Sequence, residues 1–291
     1  MREYLKGIML ECEYPDEAVE YLLSSFDKLW EKCPDELIRL IAEYEESHDI
    51  DYTSAMDKMR ELSALAEVNC YTGDLLLFLC YTRALRRYYR QEGIADSIFL
   101  DTVLDLRYKL DECKCVHGVY GSFVAKWFVG FFKLERFALG RLQFEIVTLG
   151  NDYELDGVLL KAETRALNVH IPRTGTRLDH TDVLESYRLA RDFYRNRLGD
   201  KILFTCSSWL LFPRHRKMLP ADSNIIRFMN DYTIVSSGEY RDYSETWRLF
   251  DVAYDGNVDN LPKDSLLRRA YVELIRRGEP IGWGKGIFLF K

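Results

Sequence analysis

The sequence predicts an α+β protein, with an all-helical N-terminal domain over residues 1–137 followed by a mixed α/β domain over residues 138–291. Three observations predict it. The length of 291 residues matches two domains at about 150 residues each. Through the first half, apolar residues recur three and four apart and strand signals are nearly absent. Beyond residue 137, short extended runs alternate with amphipathic helices.

The first helix begins at Pro15 or Asp16, by fixed φ or by capping, and carries the apolar spacing of residues 17–23. The second starts at Pro34, with Asp35 and Glu36 at its positive end. Residues 52–65, 74–89 and 97–110 supply three more, and Gly93 follows the end of the second of these. Arg86, Arg87 and Arg90 there complement the negative end of a helix dipole. Residues 120–138 read as a sixth helix, with Trp127, Phe128, Phe131, Phe132 and Phe137 at helical spacing as core.

In the second half, residues 141–149, 158–161 and 167–172 read as extended, and residues 182–197 as an amphipathic helix. Residues 201–211 are a strand, 223–230 a short helix capped by Ser223, and 232–236 a strand. Residues 265–277 are helical and 287–290 form a last strand, with glycines 282, 284 and 286 read as the turn before it.

Hydrophobic residues make up 47% and charged residues 30%, which excludes a disordered chain. Forty basic against 47 acidic residues leave a net charge of −7, so no nucleic-acid or membrane partner is expected through the global field. No apolar run approaches the roughly 20 residues of a spanning helix. The densest run, 127–132, is flanked by Lys126 and Lys133. The opening residues carry acids where a secretory signal would be apolar, so the expected location is cytoplasmic. Seven scattered cysteines argue for reduced thiols. Cys113, Cys115 and His117 have no second half-site; they read as thiols near a helix start, and no metal is expected.

The segment that carries chemistry is residues 169–182: a strand, a turn containing one glycine, then a helix. Such a turn gathers unpaired backbone N–H groups and the positive end of a helix dipole on an anion. Gly175 permits close approach, and Arg173 and Arg177 can pair with phosphate charge. His170, at the end of the strand, is a candidate base for an attacking amine. Glu145 is the rival base. Cys206 could act as an acyl-accepting nucleophile, but its apolar strand favours burial.

Residues 141–145 (RLQFE), His170-Ile171-Pro172, residues 206–211 (CSSWLL) and Ser223-Asn224-Ile225 together resemble a bacterial family. Its members join a helical N-acyltransferase N-terminal domain to a GNAT-like C-terminal domain. The order strand, anion loop, helix, strand, helix, strand is similar to the core of the GNAT acyltransferase fold. The resemblance implies acetyl-CoA or another acyl-CoA as co-substrate, its pantetheine arm lying between the fourth and fifth strands. It implies a CoA site made by Ile171, Arg173, Thr174, Gly175, Thr176, Arg177 and Leu178, with Asn224 at the start of the following helix. Tyr232 stands near the place where such enzymes keep a tyrosine that protonates the leaving thiolate.

The family's usual loop, Gln/Arg-x-x-Gly-x-Gly/Ala, is matched at Gly175, whereas Pro172 and Arg177 stand at its first and last positions. The expected function is an N-acyltransferase in which a small-molecule or peptide amine attacks the thioester directly, with His170 or Glu145 removing the proton. The imperfect loop motivates the alternative, a catalytically inactive GNAT-like module that senses a ligand or binds a protein.

Overall fold

A computed structural model describes residues 1–290. The chain divides into two compact units, Met1–Ala138 and the residues from Leu139 onward.

The first unit contains α1 (Arg2–Glu11), α2 (Asp16–Lys32), α3 (Pro34–Glu46), α4 (Tyr52–Leu65), α5 (Cys70–Gln91), α6 (Asp96–His117) and the short α7 (Val129–Phe132). The starts follow local chemistry. Pro34 opens α3 where an N–H has no partner to lose. The Asp51 carboxylate accepts from Thr53 and Ser54 N–H to cap α4, and Asn69 caps α5. Gly118 ends α6 in the left-handed region at φ 72°. In α5 every residue from Thr72 to Thr82 is buried, which marks it as the central helix of the unit.

In this first unit three sequence expectations need correction. A helix, α1, precedes Pro15. Cys113 and Cys115 lie toward the end of α6, not near a helix start. Residues 120–138 do not form one helix but a 3-10 turn (Ala125–Phe128), α7 and the first strand. Gly121 approaches the Tyr71 backbone so closely that an added Cβ would lie 2.4 Å from its carbonyl carbon. The aromatic run is nevertheless core, Phe128 packing on Phe78 and Phe132 on Tyr44, Phe78 and Tyr81.

The strands are β1 (Arg136–Leu139), β2 (Leu142–Thr148), β3 (Tyr153–Leu155), β4 (Val158–Leu160), β5 (Arg165–His170), β6 (Ile202–Ser208), β7 (Thr233–Tyr240) and β8 (Ile281–Phe290). The helices beyond β5 are α8 (His180–Leu198), α9 (His215–Met218), α10 (Asn224–Asn230), α11 (Trp247–Phe250) and α12 (Leu266–Arg276). Six strands form one sheet in the order β1-β2-β5-β6-β8-β7, while β3 and β4 form a separate hairpin. The hairpin turns at Asp156-Gly157, both at positive φ as a two-residue turn of this kind requires.

One face of the sheet packs on α8 through Tyr187, whose ring meets Phe204 and Phe288. The opposite face is apolar near the hairpin, where Leu149, Leu155, Ala166, Leu203 and Ile287 cluster.

The glycines at 282, 284 and 286 lie inside β8, not in a turn before it. They alternate, so all three open the same face of the strand. An added Cβ at Gly284 would lie 2.2 Å from the Leu211 carbonyl oxygen, and at Gly286 it would lie 2.6 Å from Tyr232 Cβ. The strand is glycine-rich because neighbouring chain rests directly on its backbone.

Candidate active site

β5 and β6 are a parallel pair held through Leu167–Phe204 and Asn168–Thr205. Their other partners run much longer ladders. β2 pairs with β5 from Gln143–His170 to Thr148–Arg165, and β6 with β8 from Ile202–Phe290 to Ser208–Gly284. Past Asn168 and Thr205 no register joins β5 to β6 among the described residues, so the pairing ends before Val169-His170 and Cys206-Ser207.

On the face away from α8, the pleat brings Glu145, Asn168 and His170 together. Glu145 faces Asn168 across the β2–β5 pair, and His170 is two residues along the same strand. His170 Nε2 lies 2.7 Å from Glu145 Oε1. Asn168 Nδ2 donates to the same Oε1 at 3.2 Å. A carboxylate only accepts, so Nε2 carries the proton and Nδ1 is the basic nitrogen of the neutral ring. The side chains of His170 and Glu145 are 19% and 18% exposed, which shields their interaction without sealing it.

Beyond β5 the chain crosses residues 171–179 to α8. Arg141 Nη1 donates to the Pro172 carbonyl at 3.0 Å and fixes the start of this loop. Thr174 Oγ1 lies 2.7 Å from Thr176 Oγ1. Gly175 is left-handed at φ 76°, with open space where a Cβ would stand. Asp179 caps α8 by accepting from Thr181 N–H at 2.8 Å. That backbone bond holds the Asp179 carboxyl below the usual carboxylate range, helped by the charges of Arg177 and Arg227. Arg173 is paired with Asp251 at 2.8 Å. Arg177 is exposed and its guanidinium has no hydrogen bond or ion pair among the described residues. Ile171 and Leu178 flank the loop, both half-buried.

Residues 137–288 match the family model described as the GNAT-like C-terminal domain, and residues 3–134 match that of the N-acyltransferase N-terminal domain. The chain belongs to this GNAT-like acyltransferase family. Solved structures share the fold. An acyltransferase in complex with decanoyl-CoA and teicoplanin is 23% identical, with a TM-score of 0.77 over 98% of this chain and 87% of that one. An acyltransferase mutant in complex with octanoyl-CoA is 21% identical, with a TM-score of 0.75 over 99% and 88%. A third acyltransferase structure, in complex with decanoyl-CoA, is 24% identical, with a TM-score of 0.73 over 97% and 86%. No curated protein matches the chain.

In this GNAT-like domain not every predicted site residue meets the others. His170 and Glu145 form one hydrogen-bonded pair. Tyr232 lies on the α8 face, buried, its hydroxyl 2.9 Å from that of Tyr187. Asn224 is the first residue of α10, where Ser223 Oγ caps the helix by accepting from Ile226 N–H at 3.3 Å. No hydrogen bond ties Asn224 to the loop among the described residues. Cys206 is fully buried, and burial pushes its thiol well above the usual range, so a thiolate is disfavoured.

The sequence reading passes over two residues of the site. Asn168 is found by strand alternation from His170, two residues away on the same face. Arg227, on α10, comes near Asp179 only through the packing of α10 on α8 and leaves no local signal.

Proposed function

We propose that the chain is an acyl-CoA-dependent N-acyltransferase in which an amine attacks the thioester directly. The observation that carries this reading is the Glu145–His170 pair on β2 and β5, beside the point where the β5–β6 pairing ends. Related folds solved with decanoyl-CoA and octanoyl-CoA support acyl-CoA as the donor, and one solved with teicoplanin supports a small-molecule acceptor. No helix among the described residues is long and apolar enough to cross a membrane. The seven cysteines, none in a disulfide, favour a reducing compartment, and we place the protein in the cytoplasm.

The chemistry follows from the groups present. Where the β5–β6 pairing ends, strand N–H groups polarise the thioester carbonyl. His170 Nδ1 takes the proton from the attacking amine, and Glu145 stabilises the imidazolium through Nε2–H. The loop 173–178 receives the CoA phosphates, with Arg177 supplying charge not already committed elsewhere.

Thermal melts with CoA, acetyl-CoA and longer acyl-CoAs test the donor. A ligand at 100 times its Kd adds about 2.7 kcal/mol, which raises Tm by several degrees in a domain of this size. The expected result is a rise that grows with the preferred acyl length and is lost in Gly175→Val. No shift with any CoA species overturns the reading and leaves the inactive sensing or interaction module in its place.

A further inference from the structure

Four polar side chains run inward from the surface, on the face opposite the Glu145–His170 pair. His180 opens α8 and is partly exposed, with its Nε2 lying 2.9 Å from Asp231 Oδ1. Asp231 follows α10, and its carboxylate also interacts with the Tyr187 hydroxyl. His180 and Tyr187 stand seven residues apart, two turns along one face of α8. The Tyr187 hydroxyl is 2.9 Å from that of Tyr232, and both rings are buried. Tyr232 fits against the bare backbone of Gly286, which pairs with Cys206, the first β6 residue beyond the last β5–β6 pair.

We propose that His180, Asp231 and Tyr187 are a proton wire that re-supplies Tyr232 when Tyr232 protonates the departing CoA thiolate. The proposal rests on the transfer reading above. The amine nitrogen forms its bond to the thioester carbon, the carbon–sulfur bond breaks, and the sulfur takes the Tyr232 hydroxyl proton. Tyr232 takes the Tyr187 proton, Tyr187 takes one through Asp231, and His180 is recharged by water. The amine's own proton leaves on the other face, to His170.

Electrostatics explains why a wire is needed. Burial holds the Tyr187 and Tyr232 phenols well above their usual range. A lone buried phenolate is therefore costly. Passing the charge along two hydroxyls places it on Asp231, next to His180 at the surface. Burial raises the Asp231 carboxyl, which suits it to hold a proton in transit.

The test uses the full chain with decanoyl-CoA as donor and hydroxylamine as a minimal nucleophile, reading CoA release. Tyr187→Phe keeps the ring contacts with Phe204 and Phe288 and breaks the wire; Asp231→Asn breaks it at the next link. The expected result is a fall in kcat of about tenfold or more in both, with KM for decanoyl-CoA unchanged. The solvent deuterium effect on kcat falls in Tyr187→Phe, and added imidazole restores rate to His180→Ala. Wild-type kcat and isotope effect in Tyr187→Phe, with wild-type turnover intact, overturn the wire alone. A wild-type protein that neither binds decanoyl-CoA nor releases CoA overturns the transfer reading, and the wire with it. Melting curves confirm that each variant is folded. A loss of rate matched by an equal rise in KM, with no imidazole rescue of His180→Ala, also overturns the wire, because it marks a packing role.

Discussion

The Asp251 carboxylate bridges two arginines, taking Arg173 on Oδ1 at 2.8 Å and Arg268 on Oδ2 at 2.5 Å. Asp251 sits in the left-handed region at φ 61°, an uncommon conformation for a residue other than glycine. This bridge divides the two loop arginines into one that is committed and one that is not. Arg177→Ala is expected to weaken CoA binding by about tenfold to a hundredfold, since a charge-assisted hydrogen bond contributes about 1.5–3 kcal/mol. Arg173→Ala is expected to cost less, because its charge already answers Asp251. Calorimetric titration of CoA at low and high salt checks both; the Arg177 effect shrinks as salt rises. A larger loss at Arg173 would show that Asp251 aims Arg173 at the ligand.

The Glu145–His170 pair predicts a split between binding and turnover. His170→Ala is expected to lower kcat by about a hundredfold, the lower end for a lost general base, while CoA affinity stays unchanged. Glu145→Gln keeps the acceptor oxygen and loses the charge that stabilises imidazolium, so its loss is smaller. Steady-state kinetics alongside direct CoA binding separates the two. Equal losses in kcat and in CoA affinity would mean that the pair builds the site and does not act in it.

Periodicity carries the helical half well because its helices bury a stripe, α5 alone being buried all round from Thr72 to Thr82. The fourth helix, Tyr52–Leu65, matches the predicted 52–65 to the residue. The failures have physical causes. The stretch 120–138 has helical spacing, but close backbone approach at Gly121 and the short aromatic α7 override it. The glycines of β8 look like a turn, because glycine signals both turns and backbone contact; only the positions of Leu211 and Tyr232 tell them apart. In the site, His170 and Glu145 were legible as two rival bases. That they form one pair depends on the β2–β5 register, which no local pattern encodes. The wire from His180 to Tyr232 is less legible still, since it joins α8 to the end of α10.

The β8 glycines give a stability contrast. Gly284→Ala drives a methyl group into the Leu211 carbonyl, a backbone atom that cannot swing aside. It is expected to cost about 3 kcal/mol, in the upper range for overpacking. Gly7→Ala, in the interior of α1 with nothing near its Cβ position, is expected to stabilise by about 0.5–1 kcal/mol. Urea denaturation of the two variants against wild type reads both signs. A tolerated Gly284→Ala would mean that the turn after β6 can lift away from β8.

His215 makes stability depend on pH in a window apart from most carboxylates. Its ring is fully buried; Nδ1–H donates to the Leu210 carbonyl at 3.2 Å, and Nε2 accepts from the Tyr271 hydroxyl at 2.7 Å. Both ring nitrogens are thereby satisfied in the neutral form, and burial pushes the imidazole down to about 4. The unfolded chain binds a proton near pH 6.5 that the folded chain refuses, so the contribution is fully present above about pH 6.5. It declines as pH falls from about 6.5 toward about 4 and levels off below, which amounts to about 2 kcal/mol between pH 8 and pH 5. Tyr271→Phe removes the hydroxyl that holds Nε2 neutral and leaves a buried acceptor unpaired, at a cost of about 1–3 kcal/mol at pH 8. His215→Gln is expected to be less stable at pH 8 and to lose this slope. Urea midpoints at half-unit steps from pH 5 to pH 8 measure it, and a slope that persists in His215→Gln would assign it to other groups.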